Sequence, residues 1–102
     1  VPFGVAYGSD IDEVIKTILD SLRNSDLIYL RNLPEKAAKV RMTAMSASSI
    51  DFELLVWISE NPDENGVGSS NMSDFLIFIY KTLQENNIEI PFPQMDVHLK
   101  RS

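Results

Sequence analysis

The chain contains no cysteine. That excludes disulfide frameworks, thiolate nucleophiles and Cys-ligated zinc, and it is neutral about the redox compartment. Histidine is nearly absent as well: His98 stands alone, so one copy offers no multi-histidine metal site. Basic residues are few against acids, nine Lys plus Arg to fifteen Asp plus Glu, for a formal net charge of −6. Such a field repels phosphate backbones, and nucleic acid is not an expected partner. Long apolar runs are missing too. The longest uncharged stretches, Val1 to Ser9, Met42 to Ile50 and Asn65 to Ser73, are nine residues each, whereas a membrane-spanning helix needs about 20 apolar residues. Val1-Pro2 is not a translation start and no basic, apolar, small-residue leader follows it. The expectation is a chain without a signal peptide that is a piece of something longer.

What is present is the pattern of one α+β domain in 102 residues. Phe3, Val5 and Tyr7 alternate with small residues as a strand would, and Gly8 ends the run. Ser9 or Asp10 then caps a helix whose apolar stripe is Ile11, Val14, Ile15, Ile18, Leu19 and Leu22. Asn24 to Lys39 reads as a loop with one turn, broken by Pro34. Val40, Met42 and Ala44 alternate as a second strand, and Ser46 to Ser49 turns the chain into a third. There Ile50, Phe52, Leu54, Val56 and Ile58 form the core face, with Asp51, Glu53, Leu55 and Trp57 on the other.

Glu60 to Ser70, with Pro62, Gly66, Gly68 and three acids, reads as the most mobile loop. Ser70 or Asn71 caps a second helix with a buried stripe of Met72, Phe75, Leu76, Ile79 and Leu83, and Asn86-Asn87 stops it. Ile88 and Ile90 open a short strand, and after Pro91-Phe92-Pro93 a tail strand alternates from Met95 to Lys100. The order predicts a ferredoxin-like βαββαβ two-layer sandwich over residues 1–92, with a tail strand over 93–102.

Chemistry is sparse. A Ser, His, acid arrangement could use only His98, and a lone histidine in a tail strand reads as a surface residue rather than a base; Ser9 and Asp10 read as caps, and Asp51 and Glu53 as the outward side of a half-buried strand. Gly66-Val67-Gly68 lacks the third glycine and the lysine of a phosphate cradle. Asn61, Asp63, Asn65 and Gly66 mimic the start of a calcium loop, but its twelfth position is Met72 where a bidentate Glu is required. No catalytic residue, cofactor or metal is therefore expected.

Two features do not suit a self-contained domain. With helices on one face of the sheet, Leu55 and Trp57 stand on the open face, and Ile77 and Phe78 lie outside the main stripe of the second helix. Either a neighbour or a loop such as Leu27 to Leu33 would cover them. The lone tail strand needs partners as well: copies meeting around an axis would form a small closed barrel with Met95, Val97 and Leu99 inside and Asp96, His98 and Lys100 outside.

Three segments carry a resemblance: Gly4-Val5-Ala6-Tyr7-Gly8-Ser9-Asp10, then Ala47-Ser48-Ser49-Ile50-Asp51-Phe52 leading to Val56-Trp57, then Ile88 to Val97 with Pro91-Phe92-Pro93-Gln94-Met95-Asp96-Val97 at its centre. Together they resemble the C-terminal cytoplasmic domain of the bacterial small-conductance mechanosensitive channel (MscS) family nearly end to end. Glu60 to Asn71 looks longer than the family pattern, and Asn24 to Lys39 matches poorly.

The resemblance implies a homoheptamer of the bacterial inner membrane that opens under tension and releases ions and small solutes in hypo-osmotic shock. It further implies absent N-terminal transmembrane helices and a middle β domain. This domain would then be the lower wall of a cytoplasmic cage, with Leu55, Trp57, Ile77, Phe78, Met95, Val97 and Leu99 as candidates for subunit contacts. The barrel would be built from Pro93, Gln94, Met95, Asp96, Val97, His98, Leu99, Lys100 and Arg101. The alternative is a free-standing ferredoxin-like module that binds a small regulator.

Overall fold

The computed structural model describes residues 1–31, 35, 37–58 and 70–91. Within them the order is β1 (Pro2–Val5), α1 (Ile11–Arg23), β2 (Lys39–Met45), β3 (Ile50–Leu55) and α2 (Met72–Glu85). The strands form one antiparallel sheet in the order β1-β3-β2. Val14, Ile18 and Leu22 of α1 and Phe75, Ile79 and Leu83 of α2 meet Val5, Val40, Ile50, Phe52 and Leu54 of the strands in a single core. The result is the expected α+β arrangement, with β3 as the central strand because it pairs with β1 on one edge and β2 on the other, and its even residues bury on the helix side.

Both helices begin as the sequence indicates. Asp10 has an extended backbone and its carboxylate accepts from the Glu13 N–H, while Asn71 and Asp74 bond each other's backbone N–H groups in a full capping box. Asn86 is the last cap of α2, and Asn87 follows at φ 57, the left-handed conformation that asparagine tolerates. At the end of β1 the chain turns through Gly8 at φ 94, where a side chain would be strained.

Several expectations are corrected. β1 ends at Val5 rather than Tyr7, because Ala6 turns its carbonyl to the Ser9 N–H and hydroxyl while its own N–H donates to the Glu89 carbonyl at 2.9 Å. β3 ends at Leu55, where its partners run out at Lys39 and Val1, and Ile58 is exposed instead of buried. On β2 the register slips between Met42 and Ala44; Val40 is buried, while Met42 and Met45 are exposed.

In α2, Met72 and Leu76 are exposed, and Phe78 and Thr82 turn inward in their place. Ile88 and Ile90 pack against the core but have irregular backbone rather than forming a strand. The acidic loop and the tail strand at 93–102 lie outside the described residues.

Candidate functional site

The chemistry available to this domain lies on its surfaces. The open sheet face is polar over most of its length. Arg41 on β2 pairs with Glu53 on β3 at 3.0 Å, two residues that are direct partners in the ladder. Asp51, the next outward residue of β3, accepts hydrogen bonds from the Ser46 and Ser49 hydroxyls, the latter at 2.6 Å. Those two hydroxyls favour the carboxylate and hold the Asp51 pKa below its ordinary value of 3.8. They also close the β2-β3 turn, where Tyr7 donates its hydroxyl proton to the Ser46 carbonyl.

Leu55 and Trp57 carry the apolar end of this face. Leu55 is half-buried opposite Lys39, and Trp57 is exposed two residues further on, its carbonyl accepting from the Leu30 N–H at 2.8 Å. The loop after α1 therefore runs along this end of β3. Leu27 and Tyr29 of that loop pack against the core, Tyr29 edge-on to Phe75 of α2, so these side chains lie on the helix side and Trp57 stays exposed.

Sequence reasoning missed what holds this loop in place. Ile28 exchanges two bonds with Ser70, each at 2.8 Å, which ties the loop to the residue before the α2 cap. Arg31 reaches back to the end of α1, donating to the carbonyls of Leu22, Arg23, Ser25 and Leu27 at 2.7–3.3 Å. Its guanidinium also lies 4.4 Å from the centre of the Tyr29 ring. The carbonyls that a helix leaves open at its C-terminus are a natural site for such a cation. The only sequence signal was an arginine a few residues beyond a helix end.

The second surface is a flank of α2. With Phe75 set at zero, about 100° per residue places Leu76, Tyr80 and Ile77 at about 100°, 140° and 200°. Together with Met72 at the helix start they are 43–56% exposed. Ile77 is thus on an open apolar flank as expected, whereas Phe78 is half-buried against the core. The two proposed surfaces are separate, one on the outer side of the sheet and one on the helix layer. Met95, Val97 and Leu99, with the rest of the proposed barrel, lie outside the described residues.

No group of acids and histidine that would hold a metal exists among the described residues. No helix among them is long and apolar enough to cross a membrane.

Residues 1–90 match the family model described as "Mechanosensitive ion channel MscS, C-terminal". The small-conductance mechanosensitive channel of Edwardsiella ictaluri (strain 93-146) is 41% identical over 96 residues, covering 94% of this chain and 30% of that protein. The mechanosensitive channel MscK of Escherichia coli (strain K12) is 33% identical over 99 residues, 97% of this chain and 8% of that protein. Among solved structures, the closed state of Helicobacter pylori MscS aligns with a TM-score of 0.65 at 28% identity, covering 100% of this chain and 38% of that one. The chain thus spans 8% to 38% of the length of these relatives. That family is one of ion channels rather than enzymes. The chain belongs to the MscS family of mechanosensitive ion channels, whose C-terminal domain it matches.

Proposed function

We propose that this chain is the cytoplasmic cage domain of a channel that opens under membrane tension and releases ions and small solutes during hypo-osmotic shock. The family match over residues 1–90 carries the proposal, and the domain's surfaces agree with it: a closed core and exposed apolar side chains on two sides. In this reading the parent chain adds transmembrane helices and a middle β domain before Val1, and it sits in the bacterial inner membrane with this domain on the cytoplasmic side.

Seven copies would surround a hollow vestibule whose portals screen solutes by size and charge, with the −6 charge of each domain shaping the local field. Residues 88–90, beside the outer edge of β1, take the place of the fourth strand of a ferredoxin-like sandwich. Leu55, Trp57 and Ile77, with Phe78 behind it, contribute subunit contacts. Residues 93–101 form the closing parallel barrel, with Met95, Val97 and Leu99 inside.

The test is fractionation of source cells with an antibody against this domain, followed by native mass measurement of the band. A membrane-bound chain well above 11.5 kDa that runs as a heptamer is expected. Asp at both Val97 and Leu99 should loosen that assembly. A band near 11.5 kDa free of membrane would replace the channel with a stand-alone module.

A further inference from the structure

Residues 27–31 touch three elements that are far apart in the sequence. Ile28 donates its N–H to the Ser70 hydroxyl and accepts from the Ser70 N–H, both at 2.8 Å, immediately before the Asn71 cap of α2. Two residues on, the Leu30 N–H donates to the Trp57 carbonyl at 2.8 Å, just past the end of β3. The Tyr29 ring meets Phe75 of α2 edge-on, with centroids 6.3 Å apart, and the Arg31 guanidinium lies over the Tyr29 ring at 4.4 Å. Arg31 itself turns back to α1, donating to the Leu22 and Arg23 carbonyls in its last turn and to those of Ser25 and Leu27 after it. The segment has neither helix nor strand of its own. The backbone entropy lost in fixing it outweighs what its three bonds to Ser70 and Trp57 return, so the fan of bonds from Arg31 is what keeps it in place.

We infer that residues 28–31 are a cross-tie anchored by Arg31, through which the end of α1 positions both the start of α2 and the end of β3. Arg31 is a positioning residue: it acts on Ser70 through the backbone of Ile28, and on Phe75 through the Tyr29 ring. The tie spans the two exposed apolar surfaces, with Trp57 at the sheet end and Met72, two residues past Ser70, at the start of the α2 flank. Its consequence for an assembly rests on the reading that both surfaces meet neighbouring subunits. A displacement at one contact then reaches the other through the tie, without having to repack the core.

Amide hydrogen exchange in the intact protein, read at Leu30 and Ser70, supplies the test. Arg31→Ala should speed exchange at both on the order of fivefold, although among the described residues the hydrogen bonds and ring contact of Arg31 are all with residues 22–29. Ser49→Ala, at the opposite end of β3, controls for a loss of stability alone and should leave the Ser70 rate within about twofold of the parent. Ser70→Ala removes the acceptor for the Ile28 N–H and should by itself speed exchange at Leu30. Because either change frees the same segment, the double variant should exceed the faster single one at Leu30 by less than about twofold. A Ser70 amide indifferent to Arg31→Ala, or equally sensitive to Ser49→Ala, overturns the cross-tie, and so do effects at Leu30 that simply multiply. The expected pattern in a protein whose native mass is that of one chain upholds the tie and overturns only its role between subunits.

Discussion

Phe3 and Phe52 face each other across β1 and β3 with ring centroids 5.4 Å apart and planes 12° from parallel. The pair joins an edge strand to the central strand at the middle of the core, and its members differ in environment: Phe52 is 1% exposed and Phe3 half-buried. Phe52→Ala should cost about 3–5 kcal/mol through lost transfer energy and a cavity. Phe3→Ala should cost about 1–3 kcal/mol, since its ring keeps contact with water. Urea unfolding midpoints measure both, and equal costs would contradict the packing described.

The capping box of α2 gives a second, smaller effect. Asn71→Ala removes the acceptor for the Asp74 N–H and should lower stability by about 1 kcal/mol. Asn71→Asp keeps an acceptor at the helix N-terminus and should stay within about 0.5 kcal/mol of the parent, despite its nearness to Asp74. A loss for aspartate as large as that for alanine would mean that the cap is not what positions this helix.

Arg31 is exposed, yet it binds four backbone carbonyls, two in the last turn of α1 and two just after it, and stacks on Tyr29. Arg31→Ala should cost about 1 kcal/mol and speed amide exchange across residues 24–31. Arg31→Lys should recover less than half of that, because an ammonium cannot span the same carbonyls from one planar fork. Full rescue by lysine would show that charge alone matters at this helix terminus.

Asp51 supplies a pH dependence of known sign. Its pKa is held below 3.8 in the folded state by the Ser46 and Ser49 hydroxyls. The stabilisation is therefore complete above the unfolded value, and it is lost as pH falls through 3.8 towards the lower folded value. Ser49→Ala should cost about 0.5–1 kcal/mol at pH 7, and the cost should shrink in that acid window. A cost independent of pH from 7 to 3 would remove Asp51 as the partner.

These residues also show which parts of the fold could be read in advance. Caps are local, so Asp10 and Asn71 were legible from side-chain chemistry. The even face of β3 was legible to Leu54, but alternation continued in the sequence to Ile58 while the ladder did not, because a strand lasts only as long as its partners. α2 was misphased because Met72, Leu76, Ile77 and Phe78 leave more than half of its circumference apolar; packing brought Phe78 and Thr82 inward. The Ile28–Ser70 and Arg31 links join residues far apart in the chain or off the end of a helix, and no periodicity marks them. Of the proposed contact residues, Leu55, Trp57 and Ile77 were legible as apolar side chains left over by a two-layer plan.

The most direct test of the proposed channel function is patch recording under graded suction from membranes containing the intact parent protein. Step currents are expected whose open probability rises with suction and which are missing from membranes lacking the protein. Parent protein present in the patch, with no current step at any suction the membrane survives, would contradict it.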